Sequence, residues 1–435
     1  MAGSTRRSTV GDHATLQRGT TYEGMLVGRP GPALLGLGSI EPGGGFRCDP
    51  KTYGGDCPEH LMLAPGDLYV ALKGATKDGT MIGSVARVPS AVPSGRLTQD
   101  TAKLELLDPD PIVASHLYWT LRTPQYRAYC EGHATGSAVV GLSRHDLLAY
   151  PVPPLDAVRR TAVRLLDDLE AKIELNRATS HTLEAMASTL FRAWFVDFEP
   201  VRAKARGRAP AGMDAEVAAL FPSALEASTL GPIPKGWTPG RLRDAAALNP
   251  SRPLSRGTLA PHVEMARIPT VGHRASAWPL RAVGSGARFT NGDALLARIT
   301  PCLENGKTCF VDFLAPGQIA WGSTEYIVLR ARPPLPPVWA YLLAREPSFR
   351  EFAIQRMQGT TGRQRVPAAA LGAYPVVLPS EPVAAAFGRI VEALFHEIRA
   401  LDEQSGTLAS MSGALLSRLA GGALTAGDGA PHRLR

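Results

Sequence analysis

The sequence predicts an α+β chain built as a pseudo-two-fold internal repeat, two mixed α/β domains each followed by one long helix. Three observations carry this: segments that recur at one offset, short apolar runs bounded by turn residues before each recurrence, and helical apolar spacing after it. GDLYVALKG (66–74) returns as GDALLARIT (292–300), AYPVPP (149–154) as AYPVVLP (373–379), and TLEAMASTLFRAWF (182–195) as TLASMSGALLSRLA (407–420). The pairs keep one order and nearly one offset, about 225 residues, as a repeated architecture requires.

The elements follow in order. Residues 1–14 are expected to be disordered, and residues 15–152 form the first domain. There LYVAL and GSVARV read as strands, and SHLYWTLRTPQYRAYC as short helices. The first long helix, Leu155–Phe195, lies within 153–198, with proline at or just before its start, where the missing N–H costs nothing. Residues 199–236 are a linker holding the basic run VRAKARGR (201–208), which reads first as flexible, solvated charge and second as a non-specific DNA contact. The second domain, 237–380, offers ALLARI, TCFVDF and EYIVLR as strands and PVWAYLLAREPSFREFAIQRM as helices. The second long helix, Val383–Leu419, lies within 381–420, and the tail 421–435 is expected to be disordered.

In the first helix the apolar positions run Val158, Ala162, Leu165, Leu169, Ile173, then Leu183, Ala187 and Leu190. In the second they run Phe387, Ile390, Leu394, Ile398, Leu401, Leu408, Leu415 and Leu419. Steps of three and four describe a narrow coiled-coil seam, with one skip near Ile173 that locally unwinds it. Packing of each helix on its own domain is the alternative. At ~1.5 Å per residue each helix spans roughly 55–60 Å, the length of about 16–18 base pairs of duplex.

Composition narrows the function. The chain has 435 residues, 44% hydrophobic and 20% charged, enough for two or three domains. No apolar run reaches the ~18 residues of a membrane span, and the start, MAGSTRRSTVGDH, lacks a secretory signal. Five cysteines, odd in number and widely spaced, fit free thiols in a reducing cytoplasm. The net charge of +8 suits a polyanion without requiring one.

Catalytic patterns are missing from the sequence. Gly36-Leu37-Gly38 lacks the third glycine of a dinucleotide loop, and no GxxxxGK[ST], HExxH or GxSxG occurs. Asn249-Pro250-Ser251-Arg252 departs from an amino-methyltransferase loop at its last two positions. Asp156 with Glu170-Ala171-Lys172 imitates a nuclease string, but on a helix those residues read as solvated charges.

Candidate DNA-reading residues cluster in loops. ARITPCLENGKT (297–308) offers Arg298, Glu304, Asn305 and Lys307 to phosphates or base edges; it also reads as a polar loop with a hairpin turn at Asn305-Gly306. GSTEY (322–326) places Ser323, Thr324 and Glu325 before a strand. Glu325 either accepts from a cytosine amino group or pairs an arginine internally. QGTTGRQR (358–365) supplies Gln358, Thr360, Thr361, Arg363 and Arg365. Its counterpart ATGSAVVGLSR (134–144) supplies Thr135, Ser137 and Arg144, joined by Lys73 and Lys77 of KGATKDG (73–79). Solvated loops are the alternative at each place.

IELNRATSHTLEAMASTLFRAWFVDFEPVRAK (173–204) resembles the central spacer of the specificity subunit of type I restriction-modification enzymes. NGDALLARITPCLENGK (291–307) with GSTEY resembles a recurrent second target-recognition domain of that family. RGTTYEG (18–24), LLGLGSIEPGGGF (34–46) and PGDLYVALKGATKDG (65–79) resemble a common first one. The resemblance implies two target-recognition domains, each reading half of a bipartite duplex DNA site, and an antiparallel coiled coil fixing the gap. It implies two modification subunits carrying S-adenosylmethionine, and restriction subunits carrying ATP and Mg2+. It implies no cofactor, metal or catalytic residue on this chain. The second helix departs from the pattern by lacking a WFVDF-like ending.

Overall fold

A computed structural model of the chain describes residues 8–47, 50–74, 79–136, 140–360 and 362–421. It divides into two compact units, residues 1–174 with 405–435 and residues 175–404.

The first unit lays down β1 (Ala14–Arg18), β2 (Ala33–Leu35), β3 (Met62–Leu63), β4 (Leu68–Ala71), β5 (Val85–Arg87), β6 (Gly95–Leu97) and β7 (Thr101–Leu106). One sheet has the order β1-β7-β4-β5, all antiparallel; another has the order β2-β6-β3, with β2 parallel to β6. All four residues of β4 are buried, which explains why its sequence is a continuous apolar run rather than an alternating one. The helices α1 (Pro111–Thr120), α2 (Pro124–Gly132) and α3 (Arg144–Ala149) follow. Asp110, Thr123 and Ser143 cap them, each side chain accepting from a backbone N–H in the first turn.

The first long helix, α4, spans Ala157–Phe195. The second unit continues through α5 (Glu199–Ala205), α6 (Ala215–Ala219), the hairpin β8 (Leu225–Ser228) and β9 (Gly231–Pro234), β10 (Thr238–Arg241), α7 (Leu242–Ala245) and β11 (Ala246–Leu248). Then come β12 (Leu259–Val263), β13 (Leu280–Ala282), β14 (Arg288–Phe289), β15 (Ala294–Ala297), β16 (Thr308–Phe310), β17 (Ala320–Gly322) and β18 (Tyr326–Ala331). The chain closes with α8 (Val338–Arg345), α9 (Pro347–Ile354), α10 (Ala368–Leu371), β19 (Pro375–Leu378) and the second long helix, α11 (Glu381–Ala420).

The written repeat is a folded one. The sheet β11-β18-β15-β16 matches β1-β7-β4-β5 strand for strand, and β12, parallel to β17 with β14 antiparallel beside it, matches β2-β6-β3. Even the AYP joints coincide: Val10 N donates to Tyr150 O in the first unit, and Leu242 N to Tyr374 O in the second. Each tyrosine also sits edge-on against two aromatic rings, Tyr126 and Tyr129 of α2 in one case, Phe349 and Phe352 of the helix Pro347–Ile354 in the other.

The long helices pack together. Within the second unit they run antiparallel: Asn176 Nδ2 donates to Gln404 Oε1 at 2.8 Å, and Phe387 meets the rings of Phe191, Trp194 and Phe195. Within the first, Ala162, Val163 and Leu166 share a core with Leu415, Leu416 and Leu419.

The seam differs from the expected one. Leu165 is 48% exposed and Ile390 38%, whereas Val163, Leu166, Val391 and Phe395 are buried. Toward each domain the apolar face must also cover the domain core, so it broadens beyond a narrow stripe. Past Leu169 the buried positions Asn176, Ser180 and Glu184 continue the seam in two successive steps of four with polar side chains, so the apolar pattern breaks near Ile173 although the buried face does not.

Two further expectations change. Residues 8–14, assigned to a disordered N-terminus, are ordered, because Val10 is fully buried and Thr9 bridges to Pro151. Residues 199–236 hold α5, α6 and a hairpin. The basic run is largely helical, with Val201 buried and Lys204 Nζ donating to the carbonyls of Ala218 and Phe221, while Arg202, Arg206 and Arg208 remain exposed. The expected disorder of 1–7 and of 422–435 lies outside the described residues. Among the described residues no helix is long and apolar enough to cross a membrane.

Candidate nucleic-acid interface

In the second unit three loops converge at one end of the antiparallel sheet. The connection from β15 to β16, residues 298–307, is tied to the other two by backbone hydrogen bonds: Arg298 N to Glu325 O (3.0 Å), Val366 N to Arg298 O (2.9 Å) and Thr300 N to Gln364 O (3.0 Å). Gln358 and Arg365 exchange both backbone hydrogen bonds at 2.9 Å, and Arg365 also bridges to Ile299. One side-chain pair locks the junction. Arg365 Nε lies 2.9 and 3.0 Å from the Glu325 oxygens and Nη2 lies 2.8 Å from one of them. That fork holds the guanidinium above its usual range. Of the two roles open to Glu325, the internal pairing is the one the structure contains.

The candidates in these loops divide by exposure. Glu304, Asn305, Thr324, Gln358, Thr360 and Arg363 are exposed. Ser323 Oγ accepts from Glu325 N, and Lys307 Nζ donates to Met265 O at 2.9 Å, so both serve loop geometry. Arg298 is half-buried with its Nε lacking a protein partner. Asn305-Gly306 is not a two-residue hairpin turn. It lies inside the longer connection, where Gly306 has φ 73° and donates to Leu303 O. Thr361 lies outside the described residues.

The first unit builds the same crossing with different side chains. Gly141 pairs with both Lys73 and Thr135, as Arg365 pairs with Ile299 and Gln358. A glycine thus stands where the second unit has its locking arginine. The space beside it is a groove of 380 Å³ lined by Arg18, Lys73, Thr135 and Arg144 among others, with Leu72 and Leu142. Lys73 Nζ keeps only a 3.9 Å approach to Asp100. Lys77 and Ser137 lie outside the described residues.

Each loop platform is anchored to a long helix by charge. In the first unit Glu170 of α4 accepts from Arg87 (2.5 Å), Arg122 (2.7 Å) and Tyr118 OH (2.7 Å), while Asp167 accepts from Arg87 (2.9 Å) and Trp119 Nε1 (2.8 Å). Burial works against the Arg87 charge, yet the two carboxylates outweigh it and raise its pKa. In the second unit Glu184 of α4 accepts from Tyr341 OH, and Asp402 of α11 faces His273 and Arg274. The reading of the D…ExK string as solvated charge is therefore overturned for Glu170, which is held by three donors; Lys172 is exposed, and so is Asp156, which caps α4 by accepting from Arg159 N.

Sequence reasoning missed Asp167, Glu170 and Arg18 as parts of the working surface. An acidic pair at i, i+3 on α4, matched by the aromatic and basic run YWTLR (118–122), was the available signal for the first two. Arg18 gave none, because only strand pairing brings β1 beside the loop at Gly141.

Similar proteins bear on this arrangement. No protein-family model matches the chain. The chain is 40% identical over 97 residues to the Haemophilus influenzae type I restriction enzyme HindI specificity subunit, a match covering 22% of this chain and 19% of that one. It is 25% identical over 248 residues to the Methanocaldococcus jannaschii MjaIX specificity subunit, covering 51% of each chain. It is 35% identical over 94 residues to the Escherichia coli EcoEI specificity subunit, covering 21% and 15%. The chain thus spans about half or less of the length of these curated relatives. In structure it is similar to the type I restriction-modification S subunit of M. genitalium, at a TM-score of 0.50 and 13% identity over 96% of this chain and 98% of that one. At that identity the likeness speaks for the fold, and the fold agrees with the sequence matches. The chain is therefore similar in sequence to type I restriction enzyme specificity subunits and carries the fold of the M. genitalium S subunit.

Proposed function

We propose that the chain is a non-catalytic DNA-specificity subunit that reads a bipartite duplex target, one half with the loop cluster of residues 73–144 and the other with that of residues 298–365. The observation that carries this reading is the duplicated loop crossing on a duplicated sheet, Gly141 in one unit and Arg365 in the other. Two equal scaffolds bearing different side chains suit two half-sites of different sequence. Phosphates fix the position of such a surface and base edges give it specificity. In the second unit Arg298, Glu304, Asn305, Thr324, Gln358, Thr360 and Arg363 are the side chains free to face base edges; in the first, Thr135 is.

In this reading domains 15–152 and 237–380 are the target-recognition domains and the long helices set the unread gap between half-sites. Two modification subunits bring S-adenosylmethionine and methylate adenine. Restriction subunits bring ATP-driven translocation and Mg2+-dependent cleavage, all in the cytoplasm. The chemistry then belongs to other chains.

The test is single-molecule sequencing of methylated bases in cells with and without this gene. Loss of one bipartite adenine motif on deletion is the expected result. Unchanged methylation, or methyl transfer by the isolated chain, overturns the proposal.

A further inference from the structure

We infer that the groove beside Gly141 in the first unit is a seat for the DNA sugar–phosphate backbone, and that Arg18 is one of its phosphate-binding residues. The inference rests on the DNA-reading proposal and goes beyond it, because it assigns the first unit's grip on the duplex to one groove and adds Arg18 to it.

Charge is the first argument. Arg18 of β1, Lys73 at the end of β4 and Arg144 at the start of α3 line one groove, although β1 and α3 lie far apart in sequence. Among the described residues neither Arg18 nor Arg144 has a carboxylate partner, and both are exposed. Two carboxylates stand near. Asp100 reaches Lys73 only at 3.9 Å, and Asp146 accepts from the hydroxyl of Ser143, the residue that caps α3. Three cations around one groove, two of them without a carboxylate partner and the third held only at 3.9 Å, invite an external anion.

Shape is the second. The groove is open because Gly141 occupies the position that Arg365 takes in the second unit, where the arginine is spent on Glu325. Its floor includes Leu72 and buried Leu142, which offer an apolar surface to a deoxyribose face while the cations hold the flanking phosphates. Thr135 adds a hydroxyl, but none of the lining side chains is an Asn, Gln, Asp or Glu, the types that complement adenine or cytosine edges. Arginine and lysine complement phosphate oxygens as well as guanine edges, and an equal loss on every duplex marks the phosphate contact.

The experiment measures the affinity of the full-length chain for duplex DNA against salt concentration, for the wild type, Arg18→Ala, Arg144→Ala and Arg18→Lys. Each alanine variant is expected to flatten the log–log slope by about 0.9, one phosphate's worth of counterion release, and to do so equally on cognate and scrambled duplexes. Arg18→Lys keeps the charge and is expected to keep the slope. A steep wild-type slope that both alanine variants leave unchanged overturns the groove while sparing the DNA reading. A flat wild-type slope overturns both. Inorganic phosphate at matched ionic strength is the remaining arm. If it displaces DNA from the wild type but not from Arg18→Ala, the groove is a free-phosphate site and the backbone assignment fails.

Discussion

Replacing Glu170 by glutamine tests whether the first unit's loop platform is held to its long helix by buried charge. The carboxylate serves Arg87, Arg122 and Tyr118 at once, and its side chain is 19% exposed, those of Arg87 and Arg122 23% and 20%. Glutamine keeps the shape and can still accept from Tyr118, but it cannot neutralise two guanidiniums. Asp167 remains to balance Arg87, so Arg122 is the group left stranded against the Tyr118 and Trp119 rings. Breaking a fully buried pair costs about 3–5 kcal/mol. Partial exposure and the surviving Asp167 reduce that to about 2–3 kcal/mol, since solvent screens part of the loss. Hydrogen exchange followed by mass spectrometry reads the effect locally. Amides of α1, which carries Tyr118 and Trp119, are expected to exchange roughly 30- to 150-fold faster, while those of α8 in the second unit stay at wild-type rates. Wild-type exchange across α1 in Glu170→Gln would refute the reasoning and return this acid to the solvated face assigned to it by sequence.

Other perturbations have equally definite outcomes. Glu325→Gln and Arg365→Gln should each weaken discrimination at the second half-site, and the double variant should cost no more than either single one, because both break the same fork; additive losses in a binding cycle would count against it. Gly83→Ala should destabilise the first unit by more than about 2 kcal/mol, since φ is 69° and a Cβ would lie 2.4 Å from Cys130 Sγ. Gly28→Ala, at φ 86° in open space, should cost only about 1 kcal/mol, so equal melting-temperature losses would be the contrary result. His116 is held below its ordinary pKa of 6.5, chiefly by burial. The unfolded chain therefore binds the proton more readily, and the stability this residue contributes is present above about pH 6.5 and lost as the pH falls below it. A melting-temperature profile from pH 7.5 to 5 should thus fall more steeply for the wild type than for His116→Gln, and parallel profiles would show the imidazole to be uncoupled.

The repeat was legible because it is written in residues that both copies need for the same physical reason. GDLYVA and GDALLA become β4 and β15, each buried on both faces, and the AYP joints end α3 and α10 with one shared hydrogen bond. The seam was less legible. Spacing alone cannot tell Leu165 from Leu166, and the choice falls to Leu166 because the domain core lies on that side as well. Nor can spacing show that Asn176, Ser180 and Glu184 are seam residues, since sequence patterns count only apolar positions and these are polar. The loops were legible as places but not as roles. Glu325 and Arg365 stand forty positions apart and meet only because β18 and the 358–365 loop close on the same strand end.

Under the proposed function, the same comparison explains how a duplicated chain would read two different sequences. The shared features (sheet order, parallel crossover, AYP joint and loop crossing) are backbone hydrogen bonds and buried apolar contacts, which tolerate few substitutions. The differing features are side chains at the crossing itself. Where the second unit has Arg365 paired with Glu325, the first has Gly141, an open groove and three cations, of which only Lys73 approaches an acid, at 3.9 Å. In that reading an arginine satisfied internally fixes loops and leaves exposed neighbours such as Asn305 and Gln358 for base edges, and the cations of the first unit are left for a backbone. Divergence at one backbone crossing is therefore enough to alter the balance between grip and readout in a half-site, because the crossing leaves the core that supports it untouched.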